Sequence, residues 1–243
     1  MDDKIKILKE TVRKLKERKN VKGIFLAGSY GRKEQHQFSD IDLYVIVEKP
    51  VKKDLKDPWE PLRTIYLTVN QLKKRFRQMD WIFSRSLVLS GKILYDPGGL
   101  IKKLKKEIKP YPEDIRQFEL RANVRHAKMQ LFRAKYAFKK NDFPSTIYFM
   151  IKCIEEILFF FYVLNKMDLE SERKLLEDRK KIKMKPRDFE KRLIKGACLD
   201  FKKRKIKKRI SILESLIKDV ESFYIKEEKN WKPEYVKVLK EMI

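Results

Sequence analysis

The feature that most limits what this chain can fold into is a break in its pattern at Lys109-Pro110-Tyr111-Pro112. Before the break, short β-prone runs alternate with runs of helical spacing; after it no convincing strand occurs. Each proline lacks a backbone N–H and disfavours helical backbone at the residue before it, so a regular element is not expected to pass through. The break predicts two domains, residues 1–109 and 110–243, the first α/β (α+β) and the second an all-α helical bundle.

In the first half, Asp2 or Asp3 caps a helix to about Lys19, with Ile5, Leu8, Val12 and Leu15 on one face. Val21 to Ala27 and Ile41 to Val47 read as strands, and Pro50 ends the second. Arg63 to Val69 is a third candidate; Asn70 then caps a helix over Gln71 to Met79, and a further helical run continues towards Leu89. Lys92 to Tyr95 is a short strand closed by the turn Asp96-Pro97-Gly98-Gly99. In the second half, helices are expected from Glu113 to Lys140, Pro144 to Lys166, Pro186 to Leu199, Ile206 to Tyr224 and after Pro233.

The chain has 61 Lys plus Arg against 35 Asp plus Glu, a formal charge of +26. The excess is even, 27 against 14 in residues 1–109 and 34 against 21 in residues 110–243. Such a surface suits a polyanion, RNA or DNA first, and disfavours a cationic acceptor such as an aminoglycoside. Two cysteines, Cys153 and Cys198, exclude a disulfide scaffold and a four-cysteine zinc site. No run reaches the ~18–20 apolar residues of a membrane span, and Met1-Asp2-Asp3-Lys4 opens no apolar signal core. The expectation is a soluble, cytoplasmic protein without a membrane partner. Scarce Asn, Gln and Cys beside abundant Lys and Glu is a bias of hyperthermophile proteins.

The stretch that carries chemistry is Gly28-Ser29-Tyr30-Gly31-Arg32 and, after a polar loop, Ser39-Asp40-Ile41-Asp42-Leu43. Side chains alternate along a strand, so Asp40 and Asp42 point to one face and Ile41, Leu43 and Val45 to the other. Two carboxylates about 7 Å apart on one face repel each other unless a cation lies between them. Hard divalent ions, Mg²⁺ or Mn²⁺, take carboxylate oxygens together with substrate phosphates. A strand ending in Gly28-Ser29 lets backbone approach closely and offers N–H groups and a hydroxyl to an anion. Phosphate at Gly28-Ser29 and metal at Asp40 and Asp42 would make one site for a nucleoside triphosphate.

These residues resemble the nucleotidyltransferase superfamily related to DNA polymerase β, in particular its minimal members. The signature there is Gly-Ser, a loop of about ten residues, then Asp-hydrophobic-Asp, and Gly91-Lys92-Ile93-Leu94-Tyr95-Asp96-Pro97 fits the same group. The resemblance covers roughly residues 20–105 and implies a small mixed sheet. It also implies that Ser29 contacts the triphosphate tail, with ATP the expected donor, and that Asp40 and Asp42 hold catalytic divalent ions. Gly28 would give backbone access, and Arg32, retained where relatives carry Ala-Arg-Gly, would contact phosphate. The family's third carboxylate sits in the following strand, but Leu62 to Val69 has no acidic residue. Glu60, with Asp57, lies just before that strand and is the candidate for the third catalytic carboxylate. Glu155 and Glu156 of the helical half are another source, and outright loss of the group is the remaining possibility.

Residues from about Arg121 to Lys166 resemble the helical substrate-binding domain that accompanies these transferases, of the HEPN-like or kanamycin-nucleotidyltransferase type. The carrying features are Ala134 to Phe143 and the apolar helix after Pro144. The resemblance implies an acceptor wall or a homodimer contact. Phe159, Phe160, Phe161 and Tyr162 read as core or interface. Arg121 and His126 have the spacing of HEPN ribonucleases but lie in the wrong helix, and read as ordinary helix residues. The tract Lys202, Lys203, Arg204, Lys205, Ile206, Lys207, Lys208, Arg209 is the candidate nucleic-acid contact, cationic nearly all round as a helix. The leading expectation is a metal-dependent transfer of a nucleoside monophosphate from a nucleoside triphosphate to an acceptor hydroxyl on nucleic acid or protein. A catalytically impaired nucleotide- or nucleic-acid-binding regulator, or a fused toxin–antitoxin-like module, is the alternative.

Overall fold

The structure, a computed structural model, describes residues 2–51, 62–76, 81–170, 172–197 and 203–229. The chain forms two compact units: residues 1–110 together with 168–171, and residues 111–167 together with 172–243.

The first unit is built on four strands, β1 (Val21–Ala27), β2 (Ile41–Val47), β3 (Leu62–Leu67) and β4 (Lys92–Tyr95), in the order β3-β2-β1-β4. β1 pairs antiparallel with β2 and β4, while β2 and β3 run parallel, so the sheet is mixed. β1 and β2 are apolar at nearly every position because helices cover both faces of the sheet. Ile24, Leu26, Ile41, Leu43 and Val45 pack with Leu8 and Leu15 of α1 (Asp2–Lys16) on one face. Phe25, Tyr44 and Ile46 pack on the other with Leu72 of α3 (Val69–Arg75), Val88 of α4 (Trp81–Ser90) and Ile101 and Leu104 of α5 (Leu100–Ile108). The Phe25 and Tyr44 rings stack at 5.0 Å across the strand pair. Between β1 and β2 the chain makes one short helix, α2 (Gly28–Arg32), where a polar loop is expected from sequence.

One boundary in this unit differs from the sequence reading, and one helix, α5, is absent from that reading, each for a local reason. The cap of α3 is Thr68, not Asn70: its hydroxyl accepts from the Gln71 N–H at 3.2 Å, and the Gln71 side chain accepts from the Thr68 N–H at 2.8 Å. That reciprocal pair turns the end of the expected third strand into the first helical turn. Asp96 accepts from the N–H groups of Ile101 and Lys102 at 3.1 and 3.0 Å, which starts α5 directly after the turn.

Among its described residues the second unit contains helices and no strand. α6 (Glu113–Lys139) and α7 (Phe143–Leu164) form a long hairpin, with Asp142 capping α7. α8 (Glu172–Glu177) and a single 3₁₀ turn follow, then α9 (Phe189–Ala197) and α10 (Lys203–Glu228), which packs on α6, α7 and α9. The expected helix after Pro233 lies outside the described residues. Phe160, Phe161 and Tyr162 are buried, and Phe161 meets Phe189 at 4.6 Å and Phe223 at 5.6 Å between ring centroids. Three of the four aromatics of the run Phe159 to Tyr162 are core, and Phe159 is half-buried. No helix among the described residues is long and apolar enough to cross a membrane.

One ion-pair cluster ties the ends of the bundle helices together. Arg116, 5 % exposed, donates to Glu113 within α6 and to Glu227 at the far end of α10, each at 2.7 Å. Burial pushes the Glu113 carboxyl up, but hydrogen bonds from Arg116, Gln117 and Lys166 and the guanidinium charge outweigh it and leave its pKa below the usual glutamate value. A carboxyl depressed in the folded state contributes stability above its unfolded pKa and loses it as pH falls through the folded one. Arg116→Ala is expected to lower unfolding stability at neutral pH by about 3 kcal/mol, the lower end of the cost of breaking a buried pair. The deficit should shrink as acid protonates Glu113, which denaturant titrations at several pH values will read.

Candidate functional site

Antiparallel pairing sets the site. Ala27, the last residue of β1, is in register with Asp42, the second residue of β2, so the turn after β1 lies beside the Asp42 carboxylate. Gly28 there has φ of +61°, and a β-carbon on it would stand 3.0 Å from Asp42 Oδ2. Only glycine meets both demands without displacing the carboxylate. Ser29 is half-buried in the first turn of α2, and its carbonyl accepts from the Glu34 N–H at 2.8 Å as the chain leaves the helix through left-handed Lys33. Gly28, Ser29 and Asp42 are thus brought together across the twelve intervening residues 30–41.

Asp40 is exposed and directly precedes β2. The loop leading to it is pinned at several points. Lys4 of α1 donates to the Ser39 carbonyl at 2.9 Å, and the His36 N–H donates to Ser39 Oγ at 3.0 Å. His36 Nδ1 accepts from the Phe38 N–H at 3.2 Å, so the imidazole shapes the loop. Phe38 itself is 82 % exposed, an aromatic surface two residues from Asp40 that the sequence reading did not single out.

Asp42 is half-buried, and burial followed by the neighbouring Asp40 charge raises its pKa above the ordinary aspartate value. The Arg63 guanidinium pulls in the other direction. Arg63 lies in register with Asp42 on the parallel strand β3, one strand spacing (about 4.8 Å) away and on the same face. This is the strand in which a third carboxylate was sought, so a cation stands beside Asp42 instead. The lack of an acid in Leu62 to Val69 was legible in the sequence; the register that puts Arg63 against Asp42 was not. Glu60 and Asp57 lie outside the described residues. Among the described residues no His, Cys, Asp or Glu joins Asp40 and Asp42 in a group of three.

Arg32 has carboxylate partners. Its side chain is 8 % exposed, and Nε lies 3.0 Å from both Glu34 and Glu170. Glu170 belongs to the four-residue segment 168–171 that returns to the first unit. That segment is also held by Asp168, which pairs with buried Arg85, whose other N–H groups donate to the carbonyls of Ile108 and Lys109. Glu156, one of the alternative carboxylates, faces His126 within the second unit, Nδ1 to Oε2 3.7 Å; Glu155 pairs with Lys152.

The basic tract is the start of α10. Lys202 lies outside the described residues and Lys203 opens the helix. Arg204, Lys205, Lys207 and Lys208 are exposed, whereas Ile206 is fully buried. Arg209 corrects the expectation: it is 4 % exposed, and its Nε donates to the Gly196 carbonyl at 3.0 Å. It joins α10 to the end of α9 and does not face solvent.

A small mixed sheet whose first two strands deliver Gly-Ser against an Asp-X-Asp pair defines the class of the nucleotidyltransferases. The chain belongs to the nucleotidyltransferase domain family, whose model matches residues 6–137, more than half its length. The match runs beyond the first unit to the last turn of α6. No curated protein sequence matches this one. Among solved structures, the fold is similar to that of a nucleotidyltransferase-like protein from Exiguobacterium sibiricum 255-15, with a TM-score of 0.57 at 14 % identity. That likeness covers 91 % of this chain and 78 % of the other.

The burial of Asp42 has a cost that can be measured. A carboxyl whose folded pKa is raised stabilises the fold below its unfolded pKa and loses that contribution as pH rises through the folded one. Asp42→Asn, similar in shape and neutral, is therefore expected to raise the melting temperature at pH 7 and to leave it nearly unchanged near pH 3. Calorimetric melting of the two proteins at both pH values checks this; a lower melting temperature at pH 7 would contradict it.

Proposed function

We propose that the chain is a divalent-metal-dependent nucleotidyltransferase that moves a nucleoside monophosphate from a nucleoside triphosphate, ATP by expectation, to an acceptor hydroxyl. The observation that carries this reading is the half-buried Asp42 carboxylate, held beside Asp40 and against the Gly28 turn. A carboxylate penalised by burial and by the charge of its neighbour Asp40 is one that a hard cation relieves, and the donor atoms of both residues are oxygen. Asp40 and Asp42 would hold the ion; when bound, it supplies charge neutralisation at the phosphates and activation of the attacking oxygen. The residues of the chain do the rest. Gly28 keeps the β1–α2 turn free of side chain beside Asp42, Ser29 offers its hydroxyl and N–H to the triphosphate tail, and the pinned loop of His36 to Ser39 fixes Asp40.

The acceptor side is assigned to the helical half, residues 110–243, as a substrate-binding domain of the HEPN-like or kanamycin-nucleotidyltransferase type beside a transferase domain of residues 1–109. Its charge favours an acceptor on nucleic acid or protein over a cationic small molecule. One observation supports a second reading, a binder impaired in turnover. Arg63 beside Asp42 reduces the negative charge available to a cation.

The test is incubation of the protein with each labelled triphosphate, Mg²⁺ or Mn²⁺, and total cellular RNA or protein, followed by a gel. Label transfer that disappears in the Asp40→Asn, Asp42→Asn double variant is expected, with folding retained. Binding of triphosphate without transfer would select the second reading. Arg63→Gln separates the two roles of the guanidinium through pH. Well above the Asp42 pKa, removing a cation one strand away should tighten Mn²⁺ binding by at least about tenfold, the effect of a unit charge on a divalent ion roughly 6 Å away even at the dielectric of water. Loss of the same cation raises the Asp42 pKa further, so the acid limb of Mn²⁺ binding should move to higher pH. Calorimetric titrations across pH read both effects.

A further inference from the structure

The outer face of α6 combines three properties that no role above uses. Between Leu120 and Lys140 the chain has seven Lys and Arg and no Asp or Glu. Arg125, Met129, Phe132, Tyr136 and Lys139 follow at intervals of four, three, four and three, so they form one stripe along the helix. The stripe faces outward: Phe132 is 70 % exposed, Tyr136 58 % and Met129 38 %. Its two flanks are identified by their partners. On one side Arg133 lies over the Phe149 ring of α7 at 5.8 Å; on the other Lys128 and Lys135 pair with Glu221 and Glu214 of α10. Lys140 sits over the Tyr136 ring at 5.8 Å, holding a cation beside an open aromatic face.

We infer that this stripe binds single-stranded nucleic acid, with bases stacking on Phe132 and Tyr136 and phosphates drawn to Arg125, Lys139 and Lys140. Exposed aromatics interleaved with cations are the chemistry that holds a strand without reading its sequence. The two rings are about 6 Å apart along the helix axis, which lets two bases use separate platforms. A second copy of the chain is disfavoured here, because a shared face would bring two acid-free cationic stripes together. The inference names the acceptor class of the proposed transferase and depends on that reading only for what happens to the bound strand; binding itself needs no triphosphate.

The experiment is fluorescence anisotropy of the full chain with a fluorescein-labelled single-stranded RNA oligonucleotide, without triphosphate or metal, at several salt concentrations. Phe132→Ala with Tyr136→Ala should weaken binding at least tenfold and leave the log–log salt slope unchanged, because stacking is lost and phosphate contacts are not. Arg125→Gln with Lys139→Gln and Lys140→Gln should reduce that slope by about 0.7 per contact, about two in all. The duplex of the same sequence, whose bases are already stacked, should not respond to the aromatic substitutions. All five side chains are exposed, and matched melting curves confirm intact folding. Unchanged RNA affinity in the aromatic variant overturns the inference. So does an aromatic variant that loses self-association in sedimentation, or attachment to phosphatidylglycerol vesicles, while keeping RNA. Asp40→Asn with Asp42→Asn should retain RNA affinity, so loss of transfer there is separate from loss of the strand-binding face. If the wild type transfers no label yet the stripe variants lose RNA, the transferase reading fails and this one stands.

Discussion

The candidate site depends on the antiparallel pairing of β1 with β2. Because Ala27 is opposite Asp42, the turn that follows β1 lands beside the start of β2, and Gly28 and Asp42, fourteen apart in the chain, share a small volume. The pairing is held by what lies on the faces of these strands rather than by the site. Slipping it by one residue would turn Ile41, Leu43 and Val45 away from α1 and the apolar face of Ile24 and Leu26. Hydrophobic burial thus fixes the register, and the register fixes where Asp42 stands. The same alternation that buries Leu43 points Asp42 to the other face, at the strand end where the layer of α3, α4 and α5 does not fully cover it.

Three of the cations counted in the total of +26 are taken up inside the fold. Arg85, Arg116 and Arg209 are 4–5 % exposed and are committed to carboxylates or to carbonyls at helix ends. A planar guanidinium with several fixed donors satisfies such positions, which a lysine ammonium serves less well. Of the lysines named in the basic tract, Lys205, Lys207 and Lys208 remain outside. Arginine accordingly stitches both units internally. It also brings the 168–171 segment to the first unit through the Arg32–Glu170 and Arg85–Asp168 pairs, an attachment between residues far apart in the chain.

Much of the fold was legible because its signals are local. Val21–Ala27, Ile41–Val47 and Lys92–Tyr95 are strands at the expected residues, and α6 and α7 begin and end close to their predicted limits. The misses have separate causes. Thr68 rather than Asn70 caps α3 because the Thr68–Gln71 capping box outcompetes a lone Asn. α2 is too short for any periodic signal, and its first residue reads as a turn glycine. At the site, the spacing of Gly28-Ser29 and Asp40-Ile41-Asp42 was visible, as was the lack of an acid in the third strand. What spacing does not contain is pairing between distant strands. Arg63 acquires meaning only when β3 runs parallel to β2 in a register that sets it beside Asp42. Arg32 likewise gains Glu170 as a partner only when the segment 168–171 returns to the first unit.

The same limit applies to reading nucleic-acid contacts from charge. A run such as Lys202 to Arg209 is conspicuous because its cations are consecutive, but consecutive residues on a helix point in all directions. Folding therefore spends Ile206 and Arg209 on the bundle. Cations and aromatics spaced by three and four, as from Arg125 to Lys139, are less conspicuous in a composition count and present a single face. A strand of nucleic acid is itself a line of regularly spaced charges and bases. What it can use is alignment along one face, and local charge density without alignment leaves part of the charge where no phosphate can reach it. On that criterion the outer stripe of α6 is the better-organised surface, even though the start of α10 holds more charge per residue.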